Sequence, residues 1–262
     1  MGRTKICIPL KGGREEELLR EAEALSAHPL SPLISIVEFR DDLSAGISDE
    51  ALPAFLHSLS ERLPGKSLLF TLRSAAQGGA FPGDFEAYLL RNEAALKAEG
   101  LSLIDLELPR DARKEEKGRE RCEEEAESSR RERIRLFLDR AKARGLRAIA
   151  SYHDFEKTEG REKLLQIYRD LRALGGDILK LSLMPRKPED VLSLLSACRA
   201  FREEDRERHE YIAVSMGQLG RFSRIAGQLS GSDYSFASLF APSAPGQWRL
   251  EEMESMLSLL ER

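Results

Sequence analysis

Eight short runs rich in aliphatic and β-branched residues alternate with longer stretches of helical periodicity along the whole of this 262-residue chain. The runs are Ile6–Leu10, Leu33–Arg40, Ser67–Arg73, Ser102–Leu108, Arg147–Tyr152, Asp177–Leu183, Tyr211–Met216 and Tyr234–Phe240. Strict alternation of this kind calls for parallel strands covered by helices. Eight units in a chain of this length predict an α/β fold, an eight-stranded parallel (β/α)8 TIM barrel over residues 1–262 as a single domain. A doubly wound open sheet is the alternative, but no Gly-x-Gly-x-x-Gly follows the first strand. Pro188-Glu189-Asp190 predicts a helix start, and Leu250, Met253, Leu257 and Leu260 share the apolar face of a closing helix.

Charge narrows the partners. Charged residues make up 33% of the chain, yet the net charge is −4, so no nucleic acid and no membrane surface is expected as partner. Cys7, Cys122 and Cys198 are odd in number and far apart, which suits neither a disulfide framework nor a metal site and predicts a cytoplasmic protein. No signal peptide or membrane span is expected, since no apolar run approaches about 18 residues. The nearly continuous charge from Arg110 to Arg133 reads as a solvated loop feeding an outer helix that continues through Ile134, Phe137, Leu138 and Ala141.

Residues two apart on a strand point the same way. Near the strand ends this parity groups Glu38 with Arg40, Thr71 with Arg73, Asp105 with Glu107, Ser151 with His153, and Lys180 with Ser182. The other parity carries Val37, Phe39, Leu106, Leu108, Leu179, Leu181 and Leu183, which suit packing against helices. In a barrel the polar set converges at the C-terminal mouth, where such folds place their sites. Lys180 sits among strand-forming leucines. Free lysine titrates near 10.4, so only about one in 2,500 is neutral at pH 7. Desolvation and a positive field from Arg40, Arg73 and Arg224 are expected to favour the nucleophilic amine. His153 can move the protons that imine chemistry needs. The arginines also suit an anionic substrate, and Glu38, Asp105 and Glu107 are expected to brace them and orient His153. Ser215-Met216-Gly217 ends a strand, and Ser243-Ala244-Pro245-Gly246-Gln247 has the composition of a turn over the mouth.

Taken in order, these motifs resemble type I 3-dehydroquinate dehydratase. The likeness runs through Val37-Glu38-Phe39-Arg40, Phe70-Thr71-Leu72-Arg73, Asp105-Leu106-Glu107, Ser151-Tyr152-His153-Asp154-Phe155, Asp177-Ile178-Leu179-Lys180, Met216-Gly217, Ser223-Arg224, Phe236 and Ser243–Gln247. The resemblance implies a lyase of the shikimate pathway that dehydrates 3-dehydroquinate to 3-dehydroshikimate, with no metal or organic cofactor. It implies a Schiff base on Lys180 with His153 as general acid/base. Glu38, Arg40, Arg73, Arg224, Ser243, Ala244, Gln247, Met216 and Phe236 match substrate-binding positions, with Arg224 the favoured carboxylate clamp. Asp105, Glu107 and Gln77 are supporting residues, and a homodimer is implied. Members commonly have glutamate where Gln77 stands; the amide keeps hydrogen bonds but not the charge. The rival readings are another Schiff-base lyase of aldolase type, or a non-catalytic barrel binding a carboxylated sugar acid.

Overall fold

In the computed structural model, which describes residues 4–109 and 120–260, parallel strands form the centre and helices cover them. The strands are β1 (Lys5–Pro9), β2 (Ile34–Arg40), β3 (Ser67–Thr71), β4 (Leu101–Glu107), β5 (Arg147–Asp154), β6 (Ile178–Leu183), β7 (Glu210–Ser215), β8 (Tyr234–Ser238) and β9 (Trp248–Arg249). Between them lie α1 (Glu15–Ala27), α2 (Leu52–Glu61), α3 (Phe85–Leu96), α4 (Glu120–Ala143), α5 (Arg161–Leu174), α6 (Pro188–Glu204) and the short turns α7 (Gly217–Gly220) and α8 (Gly227–Ser230), with α9 (Leu250–Leu260) last. Helix α6 starts at Pro188 as expected. Asp190 caps it by accepting the Arg186 and Lys187 N–H groups at 2.8 and 3.2 Å.

The fold is an α/β structure with a curled sheet in the order β7-β6-β5-β4-β3-β2-β1-β8-β9. The expected closed ring of eight is corrected in two ways. Among the described residues the sheet has nine strands, because Trp248-Arg249 pairs with Ala237-Ser238. Strands β7 and β8 also form no ladder. Their seam is made by the Asp233 N–H donating to Tyr211 O at 2.8 Å and by side chains. Asp233 Oδ2 accepts the Tyr211 N–H at 2.8 Å, and Ser232 Oγ accepts the Ala213 N–H at 3.0 Å.

Strand parity sorts the interior as the sequence predicts. Val37, Phe39, Leu106, Leu108, Leu179, Leu181 and Leu183 pack with the helices, including Ile134, Phe137, Leu138 and Ala141 of α4. A second apolar cluster holds Cys7, Ile36, Leu69, Leu103, Ile149, Ile178 and Ile212. Five of these stand two residues before Glu38, Thr71, Asp105, Ser151 and Lys180, so a hydrocarbon layer underlies the polar one. Burying each such side chain contributes about 1.5–3 kcal/mol. On α9, Leu250, Met253 and Leu257 are buried, while Leu260 is 55% exposed and lines a surface groove with Leu257, Phe222 and Leu229. The loop expected from Arg110 lies partly outside the described residues; its continuation as α4 is observed.

Candidate active site

Every lysine, histidine and substrate-contact residue singled out above lines one cavity at the C-terminal ends of the strands, with about 600 Å³ of empty space. Lys180 stands at its floor, opposite Ser151 on β5, while His153 is level with Ser182, one pleat nearer the mouth. Both are buried. The Lys180 side chain is 6% exposed; its Nζ donates to Asp105 Oδ2 at 2.9 Å, lies 3.9 Å from Glu38 Oε1, and sits 4.8 Å from the Phe236 ring centroid. The field around the amine is therefore not the positive one expected. Its close charged neighbours are carboxylates, because Arg40 and Arg73 are turned to acids of their own.

Asp105 is the hub of that arrangement. It accepts from Ser151 Oγ at 2.5 Å and pairs with Arg73 Nη2 at 2.9 Å as well as with Lys180. Burial opposes its charge, but Arg73, Lys180 and the Ser151 hydroxyl hold its carboxyl at about 2. Glu107 accepts from Arg73 Nη1 at 2.9 Å and from the Ser74 N–H and hydroxyl at 2.8 and 2.5 Å. Burial works against the Arg73 charge too, yet Asp105 and Glu107 push it above the ordinary arginine range. Arg73 is thus a neutralised brace. Glu38 Oε1 accepts from Thr71 Oγ1 at 2.9 Å.

Arg224 differs from the other cations. It is 2% exposed and donates to the carbonyls of Phe236 and Pro245 at 3.4 and 3.1 Å; its Nε has no hydrogen-bond partner. Among the described residues no carboxylate pairs with it. Burial, with the charge of Arg221 adding, brings it down to about 10. An uncompensated buried guanidinium beside a cavity is a seat for an anion. Ser223 fixes its position by accepting the Ser215 N–H at 2.9 Å and donating to Gly220 O at 2.8 Å.

The loop after β3 carries Gln77, whose Nε2 donates to Leu108 O and whose Oε1 accepts the His153 N–H, both at 2.8 Å. The amide thus holds the histidine's backbone through its oxygen, while its N–H is spent on the Leu108 carbonyl. Beyond β8, Gln247 Oε1 accepts the Ser243 N–H at 2.7 Å and its Nε2 donates to Ser243 Oγ at 3.0 Å, closing the predicted turn on itself. The loop docks through the Gly217 N–H donating to Pro245 O at 3.2 Å.

Sequence reasoning missed three contributors. Phe155 and Gly78 line the cavity together, and the Phe155 ring lies where a Cβ on Gly78 would be, 2.3 Å away. Asp42 chelates Arg40 with two bonds of 2.8 Å. Its signal was present, since Asp42 lies two residues beyond Arg40, just past the strand end.

The chain matches the family described as Type I 3-dehydroquinase over residues 6–262. It is 34% identical over 260 residues to the 3-dehydroquinate dehydratase of Klebsiella pneumoniae subsp. pneumoniae, covering 99% of this chain and 94% of the relative. The Alkaliphilus oremlandii enzyme of the same name is 31% identical, with 100% and 93% covered. Among solved structures, 3-dehydroquinate dehydratase from Geobacillus kaustophilus superposes with a TM-score of 0.84 at 30% identity, covering 98% of this chain and 91% of that one. The type I enzyme of Clostridium difficile, solved with covalently modified comenic acid, gives 0.83 at 28% identity, with 99% and 93% covered. With its full length matched and its cavity built from the residues that carried the resemblance, the chain belongs to the type I 3-dehydroquinate dehydratase family.

Proposed function

We propose that Lys180 and His153 carry out the dehydration of 3-dehydroquinate to 3-dehydroshikimate. Substrate is held by Glu38, Arg40, Arg73, Arg224, Ser243, Ala244, Gln247, Met216 and Phe236, and Asp105, Glu107 and Gln77 support the site. The reaction itself, a carbon–oxygen lyase step through a Schiff base, follows from family membership. The assignment of roles rests on one observation: a single amine, almost wholly enclosed, at the floor of a cavity whose wall holds an uncompensated arginine.

The Lys180 amine gives up a proton and adds to the ketone carbon; water departs and an iminium forms. The iminium draws electrons from the adjacent carbon, whose proton passes to the His153 imidazole. That electron pair expels the hydroxyl on the next carbon, which takes a proton from the imidazolium and leaves as water. A second water then hydrolyses the conjugated iminium, returning the enone and the free amine. Arg224 receives the substrate carboxylate, its planar fork matching two oxygens.

The frame is read as a single catalytic domain of eight β/α units whose last joint, at β7 and β8, is stitched by one backbone bond and by side chains. A cytosolic homodimer is proposed with it. The free, buried thiols of Cys7 and Cys198 support the compartment, and the exposed side chains of Phe222, Leu229 and Leu260 support the pairing. Among the described residues no helix is long and apolar enough to cross a membrane.

Borohydride added during turnover tests the roles. A reduced adduct is expected on Lys180 by peptide mass analysis, with none in Lys180→Ala, alongside ultraviolet absorbance of the conjugated enone in wild type only. Product without an adduct on Lys180 would move the imine elsewhere.

A further inference from the structure

Asp42 follows β2 directly, and its side chain is wholly buried, at 0% exposure. Its carboxylate receives four donors. Oδ1 accepts Arg40 Nε at 2.8 Å and the Arg73 N–H at 3.2 Å, while Oδ2 accepts Arg40 Nη2 at 2.8 Å and the Ala80 N–H at 3.0 Å. The paired bonds to Arg40 fix both the position and the plane of its guanidinium. The two backbone bonds fasten the same carboxylate to both ends of the segment from Arg73 to Ala80. That segment carries Gln77, which holds the His153 N–H.

This makes Arg40 unlike Arg224, although both line the cavity. Arg40 is charge-compensated: burial disfavours both charges of the pair, yet each group's titration moves toward keeping its own, Arg40 upward and Asp42 downward. Two of the five guanidinium N–H groups serve Asp42, and three remain for other partners. A compensated, immobile donor suits a neutral hydroxyl, whereas a bare buried cation suits a carboxylate.

We propose that Asp42 is a positioning residue for substrate binding: it holds Arg40 as a fixed, charge-compensated donor to a hydroxyl of the substrate ring, so that the carboxylate is left to Arg224. The inference rests on the site reading above, and it separates from the simpler role of Asp42 as a loop anchor by a double-substitution cycle. Asp42→Asn keeps the shape and one acceptor oxygen. Its KM for 3-dehydroquinate is expected to rise about tenfold with kcat changed less than about threefold, the pattern of lost binding shared by ground and transition states. In an Arg40→Ala background the same substitution is expected to change KM by less than about twofold, because the contact it acts through is gone.

A tenfold rise in both backgrounds, an unchanged or lower KM, or a fall in kcat alone overturns the proposal. Arg40→Lys supplies a second arm should Asp42→Asn not fold. Lysine keeps the charge but cannot make the two-pronged contact, so its KM is expected to match Arg40→Ala, and a wild-type KM is contrary. Failure of the imine reading is seen separately, as absence of the borohydride adduct in the unsubstituted protein.

Discussion

Arg224 and Asp105 are buried charges with opposite histories. Arg224 meets no acid among the described residues, so the empty site carries the cost of its desolvation. Arg224→Met is expected to raise KM by about 30-fold or more, the scale of a truncated buried charge pair. The same change leaves the unliganded protein as stable or raises its Tm by about 2–4 °C, which calorimetry checks. Asp105 is the reverse case. Its folded-state value of about 2 lies below the ordinary 3.8, so its stabilising effect is complete above about pH 4 and fades as pH falls through about 2. The shift corresponds to about 2 kcal/mol. Urea midpoints of wild type and Asp105→Asn should therefore differ most near pH 6 and converge toward pH 2; a gap independent of pH contradicts this. Strand parity located Asp105 and Lys180 in the sequence, because period two is a property of the backbone. It could not give the sign of the field at Lys180, which depends on which arginine each acid reaches.

At the scale of the element, the mouth loop depends on backbone geometry. Gly246 has φ +78°, and a Cβ there would lie 2.2 Å from Gly217 O. Gly246→Ala is expected to undock the loop and lower kcat/KM by about tenfold, the cost of misplacing binding groups, with Tm little changed. A wild-type kcat/KM would show the loop adjusts. The turn composition of Ser243–Gln247 was legible, and so was the helix start at Pro188, since both rest on local chemistry. The docking onto Gly217 was not, because it joins two backbone segments remote in sequence. Strand β9 escaped for a related reason: two residues offer no periodicity to read.

For the molecule as a whole, alternation gave the order of β1 to β7, since consecutive parallel units fall side by side. The seam escaped it. No hydrophobic pattern announces that Ser232 and Asp233 do the work of a ladder. Asp233 also pairs with Arg202 Nη1 at 2.6 Å. Asp233→Ala is expected to strand buried donors and cost about 2–3 kcal/mol, seen as a Tm lower by roughly 5–10 °C. A drop under about 1 °C would mean that β7 and β8 hold together by apolar packing alone.

The hydrocarbon floor formed by Ile36, Leu69, Leu103, Ile149 and Ile178 has its own outcome for turnover. Among the described residues it closes the floor of the reacting pocket. The molecule expelled in the elimination, the molecule that later cleaves the enzyme–product bond, and the product itself must all share the entrance beneath Ser243–Gln247, so traffic through that doorway and the chemistry behind it proceed in sequence rather than side by side.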